Sequence, residues 1–174
     1  VKVPRWVRGS ESLKLMKPYG KNLTMLGLGG SIKTPKSGIT GDVIVVDNFD
    51  ELESISHKVK GKIVLFNAPF TTYGETVKYR YSGASVAAKY GAVASLVRSI
   101  GSWSMNTPHT GVMAYEQNIK KIPHAALTIE ATTPSSGSTS LETENPKITI
   151  RFSEAIALGS GNITLKKYSD NSVI

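Results

Sequence analysis

Apolar residues are isolated through the first 24 positions and then gather into short runs separated by polar stretches. Trp6, Leu13 and Leu15 stand alone among polar and basic neighbours, a pattern that supports one or two strands at most. Met25-Leu26-Gly27-Leu28-Gly29-Gly30-Ser31-Ile32 comes next, and a Lys/Thr/Pro/Ser/Gly stretch to Thr40 reads as a loop. From Asp42 the pattern sharpens. Val43-Ile44-Val45-Val46 is a β-branched run bounded by Gly41 and Asp47-Asn48, hence a strand. Leu52, Ile55 and Val59 recur at helical spacing between Asp50 and Lys60, with Gly61 placed to stop that helix. Lys62 to Phe66 is a second buried strand. Tyr73 to Tyr90 reads as a longer helix with Val77, Tyr81, Ala84 and Ala88 on one side, and Ala92 to Val97 as a third strand.

Strand, helix, strand, helix, strand with short links predicts a parallel β-α-β core with right-handed crossovers. A long loop from Arg98 to about Lys121 carries Trp103, His109 and Tyr115, and Ile122 to Ile129 reads as one more strand. At Ala131 the composition changes. Residues 131–140, ATTPSSGSTS, have the Ser/Thr-rich character of a linker between units 1–130 and 141–174. Lys147 to Phe152 and Asn162 to Leu165 alternate as strands with one wet face, like the opening strands of a β-sandwich. Too few residues follow the linker for the ~100 that such a sandwich takes, so the second unit is expected to be truncated.

Charge narrows the classes of partner. Of 21 Lys and Arg, 17 lie at or before Glu130, against nine of the 13 Asp and Glu, so the excess of +8 belongs to the first unit. The cations are scattered singly, with no basic block and no aromatic-interleaved RNA motif, which argues against nucleic acid. Polyanion binding stays as a weaker reading, recognisable by affinity that falls steeply with salt. No apolar run approaches the ~20 residues of a membrane span. The opening VKVPRWVRGSES has no apolar signal-peptide core, and the absence of cysteine removes disulfides, thiolates and cysteine zinc sites together.

The candidate chemistry is thin. His57, His109 and His124 are far apart, and none has a His or carboxylate four residues on. His57 is expected to face solvent from its helix, and His124 to make a structural hydrogen bond at a strand start. His109, in a long loop, is the histidine with functional promise. Gly27, Gly29 and Gly30 lack the Gly-Lys-Ser/Thr ending of a phosphate loop, so a tight turn or bulge is the better reading. Asp42, Asp47, Asp50, Glu51 and Glu53 are expected to cap and solvate. Asn22-Leu23-Thr24 and Asn162-Ile163-Thr164 are N-glycosylation triplets. No catalytic constellation is complete.

Taken together, VPRWVRGSES, NLTMLGLGGSI, GITGDVIVV, FDEL, GKIVLFNAPF, GAVASLVRSI, PHTG and KIPHAALTIE run in order through almost all of residues 1–130. They resemble the protease-associated (PA) domain, and its lead-in segment, of carboxypeptidase Q-like M28 metallopeptidases. That resemblance implies a PA-type β/β/α swivelling fold acting as a non-catalytic lid for a secreted or lysosomal zinc exopeptidase. Its partners would be the peptidase domain of the same polypeptide, short peptide substrates and a second copy in a homodimer. Zinc is then expected in the peptidase domain, and no metal ligand carries over onto this chain. The loop from Ser99 to Tyr115, with Trp103, His109 and Tyr115, is expected to face the cleft of such an enzyme, because it is a long loop after a β-α-β strand and holds aromatic and imidazole groups suited to peptide contact. Two departures stand out. Gly30 and Lys33 replace an expected Ser and Gly, and after Glu130 an acidic helix and closing strand give way to a stretch resembling the SbsA-type bacterial Ig-like domain. Without that closing strand, strand 122–129 is expected to be an unpaired edge, and the chain to melt broadly. The alternative is a secreted or cell-surface binding module, PA plus Ig-like, with no peptidase attached.

Overall fold

A computed structural model describes residues 5–17, 20–102 and 106–128. Trp103, Asn162, the linker and the Ig-like stretch lie outside the described residues. Three short strands come first: β1 (Leu13–Leu15), β2 (Lys21–Leu23) and β3 (Met25–Gly27). β1 and β2 pair antiparallel as a separate ribbon. The predicted alternation then follows as β4 (Val43–Val46), α1 (Phe49–Ser54), β5 (Ile63–Phe66), α2 (Tyr73–Lys89) and β6 (Ala94–Arg98), closed by β7 (His124–Leu127). The sheet order is β3-β7-β6-β5-β4, with β4 to β7 parallel and β3 antiparallel to β7. The class is therefore mixed α/β with a β-α-β core.

The edge expected at strand 122–129 is occupied. β3 pairs there, with Met25 opposite Leu127 and Gly27 opposite Ala125. Flanking bonds extend the pairing, from Leu28 N to His124 O at 3.1 Å and from Thr128 N to Thr24 O at 3.1 Å. Three residues of strand were too short a signal to identify β3 beforehand, since a period of two needs more positions to register.

Period-two alternation sorts the sheet into two faces. Val46, Val64, Phe66, Val97 and Ala126 face the helices and join Leu52, Val59, Ala84 and Ala87 in the main core. Ile63, Leu96, Ala125 and Leu127 face the other way, where Leu13, Met25 and Ile39 partly cover them. Phe66 anchors the helical side, its ring 5.3 Å from Phe49 edge-on and 5.9 Å from Tyr79 stacked. Such aromatic pairs add about 0.5–1.5 kcal/mol beyond the area they bury.

Two helices depart from expectation. The stretch Asp50 to Lys60 is not one helix, because α1 ends at Ser54 and a 3₁₀ turn covers Ser56–Lys58. Ser54 Oγ donates to Glu51 O at 2.7 Å, sharing the carbonyl that Ile55 N reaches at 3.2 Å, and this local competition tightens the chain. The start is well capped: Asn48 Oδ1 accepts from Glu51 N at 2.8 Å, and Glu51 Oε2 accepts from Asp47 N at 2.7 Å. In α2 the buried side is Thr76, Tyr79, Arg80, Gly83, Ala84 and Ala87, whereas Tyr81 is exposed. Small residues let α2 approach the sheet closely. A Cβ on Gly83 would lie 2.9 Å from the Phe66 ring and 3.3 Å from His124 Nε2.

Candidate functional site

The connection from Ser99 to Pro123 joins two neighbouring parallel strands and has no helix among its described residues, so its own contacts must hold it. Glycines allow the first of these. Gly29 N donates to Gly111 O at 2.8 Å and Met113 N to Gly29 O at 2.9 Å, with a Cβ on Gly29 reaching 3.3 Å from Gly111 O. Gly30 follows at φ +91, a turn conformation that suits glycine. The Gly27-Gly29-Gly30 cluster is thus a close backbone crossing and turn. Met113 is buried beneath it.

Tyr115 supplies the second fastening. Its hydroxyl accepts from Ile32 N at 2.9 Å and donates to Ile122 O at 2.7 Å, closing the end of the loop onto the β3 turn. Ser99 Oγ accepts from His109 N at 2.7 Å, and Thr128 Oγ1 donates to Asn106 Oδ1 at 2.9 Å. The lead-in segment adds an outer clamp. Arg8 Nη1 donates to Gly27 O at 2.6 Å, and Glu11 Oε2 accepts from Gly27 N at 2.8 Å.

Against this fastened loop lies Arg80, only 6% exposed on the inner side of α2. Its Nη2 donates to Tyr73 Oη at 2.8 Å. Its Nη1 lies 3.1 Å from His109 Nδ1 and donates to Thr110 O at 3.3 Å. The guanidinium also sits 5.5 Å from the centroid of the Tyr73 ring, and the Tyr73 and His109 rings meet edge-on at 5.8 Å. Gly111 makes room for it, since a Cβ there would fall 2.6 Å from Arg80 Cζ. Burial first, and the Arg80 charge second, hold His109 below its ordinary pKa, so its imidazole is neutral at pH 7.

Of the residues singled out from sequence, His109 is exposed at this cluster, Tyr115 is half-buried and spends its hydroxyl within the loop, and Trp103 lies outside the described residues. Asn22 is exposed on β2, and Asn162 lies outside the described residues. His57 faces solvent, as expected. His124, 1% exposed, makes the structural bonds expected of it, with Nδ1 2.8 Å from Ser95 Oγ and Nε2 3.2 Å from Tyr79 O. The three histidines occupy three separate environments, and the described residues hold no group of three His, Cys, Asp or Glu fit to bind a metal ion. This part of the chain does not fit a zinc site.

Arg80 and Tyr73 were missed from sequence. Thr76, Tyr79, Arg80, Gly83, Ala84 and Ala87 recur at the spacing of one helical stripe, yet an arginine, a glycine and a threonine do not register as a core face. The stripe becomes visible only with Arg80 counted as a buried position.

The chain is similar to carboxypeptidase Q. Over 130 residues it is 57% identical to that of Xenopus laevis, which covers 75% of this chain and 28% of the relative. Identity to the Homo sapiens protein is 48% over the same length and shares. Among solved structures, a peptidase M28 precursor from Shewanella amazonensis SB2B superposes with a TM-score of 0.68 at 34% identity, covering 72% of this chain and 30% of that one. Residues 123–173 match the bacterial Ig-like domain. The first residues of that match include β7, which pairs with β3 and β6 and so belongs structurally to the α/β sheet. The chain spans little more than a quarter of the length of these carboxypeptidase Q relatives. Its first three quarters is thus similar to one segment of carboxypeptidase Q and of an M28 peptidase, and its last part is similar to a bacterial Ig-like domain.

Proposed function

We propose that residues 1–130 form a PA-type β/β/α domain, a non-catalytic lid over the active site of a secreted or lysosomal carboxypeptidase Q-like zinc exopeptidase. In this reading, 131–140 is a linker and 141–174 the start of an Ig-like sandwich. Zinc and the catalytic groups would come from the peptidase domain of the same polypeptide. The loop from Ser99 to Tyr115 narrows access to that centre and favours short peptides, and the whole enzyme works as a homodimer. Asn22, exposed on β2, and Asn162 are the N-glycan acceptors of a secreted chain.

One observation carries the reading. The connection after β6 is fastened at both ends by Tyr115, Gly29 and Ser99, yet it presents His109 outward beside a buried arginine. Loops fixed in this way on a rigid scaffold are where peptide-contacting groups concentrate. The test is kinetic, in the complete peptidase carrying this segment. His109→Ala and Trp103→Ala are expected to lower kcat/KM for short peptides about tenfold, a loss of roughly 1.4 kcal/mol of transition-state binding. Unchanged kcat/KM in both variants would remove the lid role.

The match of residues 123–173 to a bacterial Ig-like domain favours a second reading, a secreted or surface binding module with no peptidase attached. The flanking transcript separates the two. A downstream His/Asp/Glu metal motif favours the enzyme, and further Ig-like repeats with a surface anchor favour the module.

A further inference from the structure

The hydrogen-bond roles around Arg80 are dictated by chemistry. A guanidinium only donates, so His109 Nδ1, 3.1 Å from Nη1, must be the acceptor. The neutral ring therefore carries its proton on Nε2, which is left as a donor. By the same logic Tyr73 Oη accepts from Nη2 at 2.8 Å, and its own O–H is free to donate. Tyr73 is half exposed and His109 is exposed, so both residues that carry the spare donors reach the surface.

Among the described residues no carboxylate pairs with the charge behind them. Arg80 is buried, and its Nε has no hydrogen-bond partner. Arg8–Glu11, Lys62–Asp42 and Lys89–Glu116 are ion pairs among the described residues, and none of them includes Arg80. Its neighbours are a phenol, a neutral imidazole and a carbonyl. A buried cation without an anion is costly, and the nearest way to offset it is an anion brought in from outside. Hydrogen bonding to Arg80 also polarises the O–H of Tyr73 and the N–H of His109, strengthening both as donors.

We infer that Tyr73 and His109, backed by Arg80, form a surface receptor for a carboxylate. Each carboxylate oxygen takes one donor, as in other planar two-point recognition of this group. The carboxylate comes either from a peptide C-terminus or from an acidic side chain docking on this face. The assignment rests on residues of this chain alone, so it can stand where the lid reading fails, and fail where that reading stands.

The test is an NMR titration of the 174-residue chain with ring-labelled histidine, at constant ionic strength. N-Acetylglycine supplies a terminal carboxylate, N-acetylglutamic acid α-amide a side-chain carboxylate, and N-acetylglycinamide neither. A saturable shift of the His109 ring is expected with one or both carboxylates and not with the amide. Which carboxylate binds more tightly identifies the source. Tyr73→Phe keeps the half-exposed ring and removes the O–H, and it should weaken binding about tenfold. Arg80→Gln should abolish it. The absence of a saturable shift, an equal shift with the amide, or undiminished binding in Tyr73→Phe each overturns the assignment.

Discussion

Ser95 Oγ and His124 Nδ1 lie 2.8 Å apart at paired positions of β6 and β7, under α2. The carbonyl of Tyr79 takes the other ring nitrogen at 3.2 Å, so Nε2 carries the proton and Nδ1 accepts from the serine. The neutral imidazole is fully satisfied. A proton added to it would place a charge in the core, and burial accordingly holds the His124 pKa below its ordinary value.

The pH dependence of stability follows from that direction. The unfolded chain takes up a proton near the ordinary histidine pKa of about 6.5, before folded His124 does. The contribution of His124 is therefore constant above that value and falls as pH drops from about 6.5 toward the folded pKa. His109, also lowered, adds a change of the same sign. Thermal unfolding should show a lower Tm at pH 5 than at pH 7.5, and His124→Gln should flatten that difference. A Tm that rises on acidification contradicts this account.

Gly83 sets helix propensity against packing. Alanine in place of glycine favours a helix by about 1 kcal/mol. At Gly83, however, the new methyl would meet the Phe66 ring at 2.9 and 3.1 Å, and Phe66 is fully buried and cannot withdraw. Overpacking of this kind costs about 1–3 kcal/mol, so Gly83→Ala should be net destabilising. Gly74, in the first turn of the same helix, has open space where a Cβ would stand, with nothing within 4 Å, and Gly74→Ala should be neutral or stabilising. Urea unfolding of the two variants should move the midpoint in opposite directions, or leave Gly74→Ala unmoved.

How legible these features were depends on the side chains that make them. The strands β4, β5 and β6 are β-branched or aliphatic runs, and they appear where the pattern places them. The inner face of α2 does not read as apolar because Thr76, Arg80 and Gly83 lie on it, each justified only by a tertiary or local partner: Thr72 O, the Tyr73–His109 pair, and the Phe66 ring. His109 was legible as a loop histidine, but Arg80 behind it was not. Local sequence does not show that a cation is to be buried.

Tyr115 and His109 share one loop and should separate cleanly on mutation. Tyr115→Phe removes a hydroxyl that serves Ile32 N and Ile122 O, the latter on a residue only 2% exposed. Unpaired groups of that kind cost about 1–3 kcal/mol each when buried, less for the exposed Ile32 end. Tyr115→Phe should lower stability and speed amide exchange at Ile32. His109→Ala takes one acceptor from buried Arg80 Nη1, which keeps Thr110 O at 3.3 Å, so it should cost less stability than Tyr115→Phe and leave exchange at Ile32 unchanged. Equal stability losses in the two variants would contradict the division of roles.

β4 is the sheet edge whose side chains leave it open to association. Val43 is 46% and Val45 52% exposed on the face away from the helices, while β3 at the opposite edge has Met25 partly packed against the smaller core. Exposed β-branched residues on an edge strand invite pairing with another copy, and lysine there is the usual protection. Val45→Lys should leave the folded state nearly as stable, because Val45 packs little, though weaker β propensity costs up to about 1 kcal/mol. Light scattering on heating should nevertheless begin later in Val45→Lys than in the parent chain. Lys62, which already pairs with Asp42 at 2.8 Å beside this edge, serves as the control: Lys62→Gln should not delay scattering. If Val45→Lys and the parent aggregate alike, association does not proceed through β4.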